Sequence, residues 1–270
     1  MNQTEARSLA VTAGGHRLNA AWLGPGPADA PTLVFLHEGL GSIGQWRDVP
    51  AALAAATGCG ALVYDRHGYG GSAPLAPPYR RTADFMHREG RVVLPELLDR
   101  LTIARTVLVG HSDGASIALI AAATGDARIL GVISVAAHVF VETVTLASIR
   151  GAVAAWRDGD LRARLARYHG AAVDSAFLGW ANIWLDESFA GFDITAELAR
   201  VTCPVLAIQG RDDPYGSDAQ LDAIAAGVAG PVECLALAGC GHAPHHEQRA
   251  AVLAAAAAFV ARHLVAPPST

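Results

Sequence analysis

Along the chain, short runs of aliphatic and β-branched residues alternate with longer stretches of helical periodicity, the rhythm of βαβ units in a mostly parallel sheet. Thr32 to His37 reads as a buried strand, followed by a glycine-rich turn and a helix from about Ile43 to Ala56. Ala61 to Asp65 is the next strand, and Thr82 to Leu101 reads as a helix. Pro95 should kink that helix, because it has no N–H to donate. Thr106 to Gly110 is a strand that feeds a helix from Ser112 to Ala123. Leu130 to Ala136, Val205 to Gly210 and Val232 to Leu237 complete the strand series. A last helix runs from about Gln248 to His263, before a loose tail of Pro267-Pro268-Ser269-Thr270.

Between Ala137 and roughly Ala199 the strand rhythm stops and helical patterns such as Leu161 to Tyr168 take over. This stretch holds 8 of the chain's 17 aromatic residues, so it has the makings of a small core of its own. Trp180 and Trp184 stand four apart, on one face of any helix there. The expected organisation is a core domain of residues 1–136 and 200–270, interrupted by a helical insertion over 137–199. Parallel sheets bind ligands at the carboxyl ends of their strands. An insertion over that edge is a cap, and its inner aromatics are expected to wall a pocket.

Composition narrows the choice of function. Of 270 residues, 52% are hydrophobic and 17% charged, which suits a compact globular protein. The net charge of −5 leaves no basic patch large enough to follow a phosphate backbone, so nucleic acid is not an expected partner. Met1 to Thr12 shows no apolar run of the secretory kind, and Ala250 to Val260 is too short to span a bilayer. Cys59, Cys203, Cys234 and Cys240 have no paired spacing, and the first three read as small apolar fillers. A cytoplasmic protein, monomer or homodimer, acting on a small molecule away from membranes is the expectation.

The strongest chemical signal is Gly110-His111-Ser112-Asp113-Gly114, set between a β run and a helical run. Strand, sharp turn and helix is the context of a nucleophile elbow, where a strained serine needs small neighbours. The helix start also offers free N–H groups to a developing oxyanion. A hydroxyl needs a base within reach, itself held by an acid. His242 lies in the glycine-bracketed turn Gly239-Cys240-Gly241-His242-Ala243-Pro244, and the carboxylates of Arg211-Asp212-Asp213-Pro214 follow another strand end. The chain order is Ser, Asp, His. Cys240, His245, His246 and Glu247 lie near His242, but Pro244 starts a helix there and no metal site is expected.

From about residue 30 to 262 the chain resembles the α/β-hydrolase family, in the branch with a helical cap after the sixth strand. The resemblance implies an α/β fold: a mostly parallel sheet of about eight strands flanked by helices. It places the acid on Asp213 and not Asp212, three residues after the strand-end glycine. Asp65-Arg66-His67-Gly68-Tyr69-Gly70-Gly71-Ser72 resembles a structural turn of the family, with His67 where arginine is usual. His37-Glu38-Gly39-Leu40-Gly41-Ser42 resembles its His-Gly-x-x-Gly oxyanion loop, with Glu38 in the usual glycine position. The oxyanion donors implied are the N–H of Asp113 and that of Gly39, with Glu38 the second choice. His37, Leu40, His111, Trp180, Trp184 and Tyr215 are the expected pocket residues, His37 also bracing its loop. Glu38 and Asp113 flanking the oxyanion hole would disfavour an anionic substrate.

The activity implied is cofactor-free hydrolysis of a carboxylic ester or thioester through an acyl-enzyme on Ser112. A carbon–carbon bond hydrolase of ring-cleavage products shares the triad and cap, with Arg66, Arg150 or Arg157 to recognise its anionic substrate. A lactonase or acyltransferase also fits, and a non-catalytic ligand-binding protein on the same fold is the alternative of another class.

Overall fold

A computed structural model describes residues 6–264, so the Pro267–Thr270 tail lies outside the described residues. Eight strands form one sheet: β1 (Arg7–Ala13), β2 (His16–Leu23), β3 (Thr32–Leu36), β4 (Gly60–Tyr64), β5 (Thr106–His111), β6 (Ile129–Val135), β7 (Val205–Gly210) and β8 (Val232–Leu237). Their order is β1-β2-β4-β3-β5-β6-β7-β8. From β4 to β8 all neighbours are parallel, while β1 and β2 are antiparallel to each other and β2 to β4. The α/β class with a sheet of eight strands is what the sequence pattern and its resemblance implied.

The central strands β3, β4, β5 and β7 are buried at every position, as strands covered on both faces must be. Alternate residues serve the two faces. Leu33 and Phe35 of β3 pack with Leu53 of α1 (Val49–Thr57) and Phe259 of the last helix. Val34 and Leu36 face the opposite core, with Leu97 and Ile117 from two helices beneath the sheet centre. Those helices are α3 (Leu94–Arg100) and α4 (Asp113–Ala122).

The sequence pattern did not reveal β1 and β2. Their alanines give little hydrophobic contrast, so the period-2 signal is weak. The available signal was Gly14-Gly15, a two-glycine loop with φ of 60° and 80° that joins Ala13 to His16 as a tight hairpin. The helix expected over Thr82–Leu101 runs without a gap from Phe85 to Arg100, as α2 (Phe85–Arg88), a π-helical stretch over Glu89–Val93, and α3. Pro95 follows the π-helical stretch directly, and the widened ladder there accommodates its missing N–H.

Between β6 and β7 the chain forms α5 (Thr143–Asp158), α6 (Leu161–His169), α7 (Val173–Trp184) and α8 (Thr195–Leu198). The two ends of this stretch are tied by the Ile194 N–H to Val139 O bond of 2.7 Å and a bridge between Phe140 and Asp193. Trp156 stacks on Phe177 at 4.0 Å, and Phe189 on Phe192 at 4.8 Å. Beyond β7 come α9 (Asp218–Gly227), α10 (Pro244–Glu247) and α11 (Arg249–Leu264). Among the described residues no helix is long and apolar enough to cross a membrane.

Two glycines with opposite surroundings test this packing. A Cβ on Gly114 would lie 2.0 Å from Leu36 O, a backbone atom that cannot yield without moving β3. Gly114→Ala is expected to cost about 3 kcal/mol in urea unfolding. Gly151, inside α5 with nothing within 4 Å of its Cβ position, is exposed. Gly151→Ala is expected to add roughly 0.5–1 kcal/mol by helix propensity alone.

Candidate active site

Ser112 occupies the turn between β5 and α4 with φ 52° and ψ −120°, a left-handed-side conformation rarely taken by a residue with a side chain. The chain reverses there without room to spare. A Cβ on Gly110 would stand 2.3 Å from Gly114 O, so both flanking glycines are fixed by close approach. The Ser112 N–H donates to Val135 O at 2.9 Å, which pins the turn to β6. Asp113 opens α4, so its N–H has no helical acceptor and stays available beside the serine.

His242 and Asp213 meet across the ends of β7 and β8. A Cβ on Gly210 would lie 2.2 Å from Gly241 O, so the two strand-end turns touch only because glycine stands there. The His242 Nδ1 donates to the Asp213 carboxylate, at 2.9 Å from Oδ1 and 2.8 Å from Oδ2. Asp213 also accepts from Gln209 Nε2 at 2.9 Å and the Tyr215 N–H at 2.8 Å. Burial pushes the Asp213 carboxyl upward, but its bond to His242, the His242 charge and the Tyr215 N–H outweigh this and hold it below the usual range. Asp212 is exposed and donates its N–H to Cys240 O, away from His242. The His242 loop is braced by Glu247, which accepts from Gly241 N at 2.6 Å and Ala243 N at 3.0 Å.

The unusual Glu38 has a definite partner. Its carboxylate lies 3.3 Å from His111 Nδ1, and His111 Nε2 lies 2.6 Å from the carbonyl of His242. Both ring nitrogens face acceptors, so the imidazolium is the one form that satisfies both. Burial lowers the His111 pKa, but the Glu38 carboxylate and the His242 carbonyl overcome it and raise it. Glu38 is likewise held well below the usual carboxylate range, His111 prevailing over burial. The ion pair thus ties the loop after β3 to the loop of His242 through the elbow's own histidine.

His37 is fully buried and braces its loop. It accepts the Arg66 N–H at Nε2 (3.0 Å) and donates from Nδ1 to Glu38 O at 2.7 Å, which fixes one neutral tautomer. The Arg66 guanidinium donates to His37 O and Glu38 O at 3.2 and 3.0 Å and lies 3.7 Å from Asp113 Oδ2. Trp184 Nε1 donates to Asp113 Oδ1 at 3.2 Å. Desolvation pushes Asp113 upward, and Arg66 and Trp184 only partly offset it.

Ser112 and His242 line one cavity of about 90 Å³. Glu38, Gly39, Leu40, Asp113, Trp180, Trp184 and Tyr215 line it too. Two expected pocket residues do not: His37 and His111 lie behind the loops, spent on backbone and on Glu38. The remainder of the wall was not legible. Thr145 and Ile149 come from α5, and His138 from the chain leaving β6. His138 is buried, its ring 5.9 Å from that of His242 and 5.1 Å from that of Trp184. No short-range motif marks it, because only the β6–α5 connection brings it here. Trp180 closes over the loop after β3, and a Cβ on Gly39 would fall 2.2 Å from its Nε1. Among the described residues no group of three or more His, Cys, Asp or Glu side chains is arranged to hold a metal.

Burial and the neighbouring His242 push the His138 pKa down to about 3, against 6.5 for a free imidazole. As pH falls through that window the unfolded chain takes up a proton that the folded chain refuses, so stability declines. His138→Gln is expected to flatten this decline by up to one proton, roughly 1.4 kcal/mol per pH unit, in urea unfolding from about pH 6.5 down to about 4.

Comparison with known proteins bears on the fold and the family. A stretch of 114 residues is 34% identical to 2-succinyl-6-hydroxy-2,4-cyclohexadiene-1-carboxylate synthase of Salmonella paratyphi C (strain RKS4594), covering 42% of this chain and 41% of that protein. The match therefore spans about two-fifths of the relative's length. Among solved structures, 2-hydroxy-6-oxo-6-phenylhexa-2,4-dienoate hydrolase from Rhodococcus sp. strain RHA1 superposes with TM-score 0.79 at 17% identity, over 97% of this chain and 100% of that one. The enol-lactonase from Burkholderia xenovorans LB400 does so with TM-score 0.73 at 23% identity, over 94% and 100%. At such identities the superpositions speak for the fold. The sequence model of the alpha/beta hydrolase family matches residues 33–256, and the chain belongs to that family.

Proposed function

We propose that the protein is a serine hydrolase that cleaves a carboxylic ester or thioester of a small neutral substrate through an acyl-enzyme. The observation that carries this reading is His242, clamped at Nδ1 by Asp213, lining the same cavity as the strained Ser112. Asp213 fixes the tautomer with Nε2 free to accept a proton. Ser112 Oγ bonds to the substrate carbonyl carbon while His242 Nε2 takes its proton. The developing oxyanion is held by the N–H groups of Asp113 and Gly39. As the carbonyl re-forms, the alcohol or thiol leaves with the proton from His242. Water then repeats the sequence against the acyl-enzyme and frees Ser112.

Helices α5 to α8 serve as the cap in this reading, with Trp180, Trp184 and Ile149 as the apolar wall that favours an aliphatic or aromatic substrate. Charge supports a neutral one. No arginine lines the cavity among the described residues, and the two carboxyl groups that do, Glu38 and Asp113, are already matched by His111 and Arg66. Arg66 is committed to backbone carbonyls and Asp113, Arg150 is exposed on α5, and Arg157 pairs with Asp158. That placement weighs against the carbon–carbon hydrolase, whose anionic substrate needs a cation. A lactone, being a neutral internal ester, suits the same cavity.

Turnover of p-nitrophenyl esters from acetate to decanoate, with benzoate, tests the reading. Ser112→Ala is expected to lose about 10³-fold or more in kcat. Failure of folded protein to react with a fluorophosphonate probe would favour the non-catalytic alternative, and turnover of a dienone acid but no ester would favour the carbon–carbon hydrolase. Glu38→Gln leaves His111 without its counter-charge and slackens the hold on the His242 carbonyl. Its expected signature is a kcat about tenfold lower with KM little changed.

A further inference from the structure

A second cavity, of about 280 Å³, is separate from the candidate active site and shares no lining residue with it. It opens where the β1–β2 hairpin, the loop after β4 and α2 meet. Arg80, Arg81 and Arg88 line it, with His16, His67 and a single carboxyl group, Glu89. None of the three arginines forms an ion pair with a carboxylate among the described residues. Two of them are held by backbone carbonyls instead: Arg81 Nη2 donates to His67 O at 2.9 Å, and Arg88 Nη2 to Gly14 O at 3.2 Å. Positioning by neutral acceptors leaves their full positive charge facing the cavity.

Arg81 is further fixed by lying over the rings of Tyr69 and Phe85, at 4.8 and 5.6 Å from their centroids. Its Nε–H is buried against Gly179 of α7 and has no partner among the described residues, so the cavity is faced by the rest of the guanidinium. Glu89 is 5% exposed, and its Oε2 is also unpartnered. Desolvation raises its pKa against the pull of Arg66, Arg81 and Arg88. His16 and His67 stack face to face at 3.5 Å.

We propose that this cavity is a binding site for a small oxyanion, the carboxylate or phosphate of a metabolite, distinct from the substrate site. The guanidiniums of Arg80, Arg81 and Arg88 receive the oxygens, and Phe85 and Leu75 accommodate an apolar portion. Helix α7 lies against both cavities: a Cβ on Gly179 would stand 3.4 Å from Arg81 Nε, and the next residue, Trp180, lines the other.

Calorimetric titration with inorganic phosphate and with phenylacetate, using the uncharged phenylacetamide as control, tests the site without recourse to turnover. Its outcome is therefore independent of whether Ser112 hydrolyses esters. At least one anion is expected to bind with one-to-one stoichiometry in the millimolar range or tighter, and the amide not at all. Phosphate alone binding would identify a phosphate ligand, and phenylacetate alone a carboxylate. The Arg80→Gln/Arg88→Gln double variant, at two exposed positions, is expected to weaken binding about tenfold or more. Arg150→Gln on α5 should leave it unchanged. The anion should also raise the pKa of His67, which burial and the charges of His16, Arg81 and Arg88 hold at about 4, as read by its imidazole proton resonances. No saturable binding of either anion up to about 10 mM, or equal binding by the double variant, overturns the proposal.

Discussion

The close contact between α4 and β3, where the Gly114 backbone rests on the carbonyl of Leu36, is the constraint on which the rest of the molecule turns. It lets α4 start directly beneath the sheet edge, which forces Ser112 into a positive φ and lifts it above the strand ends. The same approach puts the loop after β3 beside the helix start. Gly39 and Asp113 therefore line the same cavity as Ser112. The strain at Ser112 is tolerated because β5 and α4, buried along their whole length, over-determine the turn.

Around that turn, charge is buried in compensated form. Asp113 sits against Arg66, and Glu38 against His111, while His37 remains neutral between the Arg66 N–H and the Glu38 carbonyl. Pairs of this kind contribute little net stability, since desolvation offsets most of their attraction. What they supply is position. Arg66 fixes the loop after β3, His111 fixes the loop of His242, and Glu38 links the two. Glu38 thus puts a charged tether between the loop after β3 and the loop of His242.

The apolar wall has a different origin. Trp180 and Trp184 reach the cavity because α7 packs its other aromatic contacts within the insertion, with Phe177 on Trp156 and Phe189 against Trp184. These aromatics form no separate core but join the cluster on one face of the sheet, and their packing sets how far the two indoles project over the Ser112 edge.

Much of this was legible in the sequence where chemistry is local. The run from Gly110 to Gly114 between a strand and a helix, the Gly239–Pro244 turn and the Arg211–Pro214 turn each carry their signal within a few residues. Their strand-end positions follow from the sheet, whereas the preference for Asp213 over Asp212 came from the resemblance to the α/β-hydrolase family and not from the turn itself. The β1–β2 hairpin was hidden, since alanines blur the alternation that marks a strand. Other features belong to the tertiary structure alone. That His111 is spent on Glu38 and a carbonyl instead of facing substrate, that His138 stands beside His242, and that three arginines converge on a second cavity all depend on long-range contacts. Local sequence encodes backbone turns through sterics and hydrogen bonding over a few residues, whereas the direction and protonation of a buried side chain depend on neighbours brought from a hundred residues away.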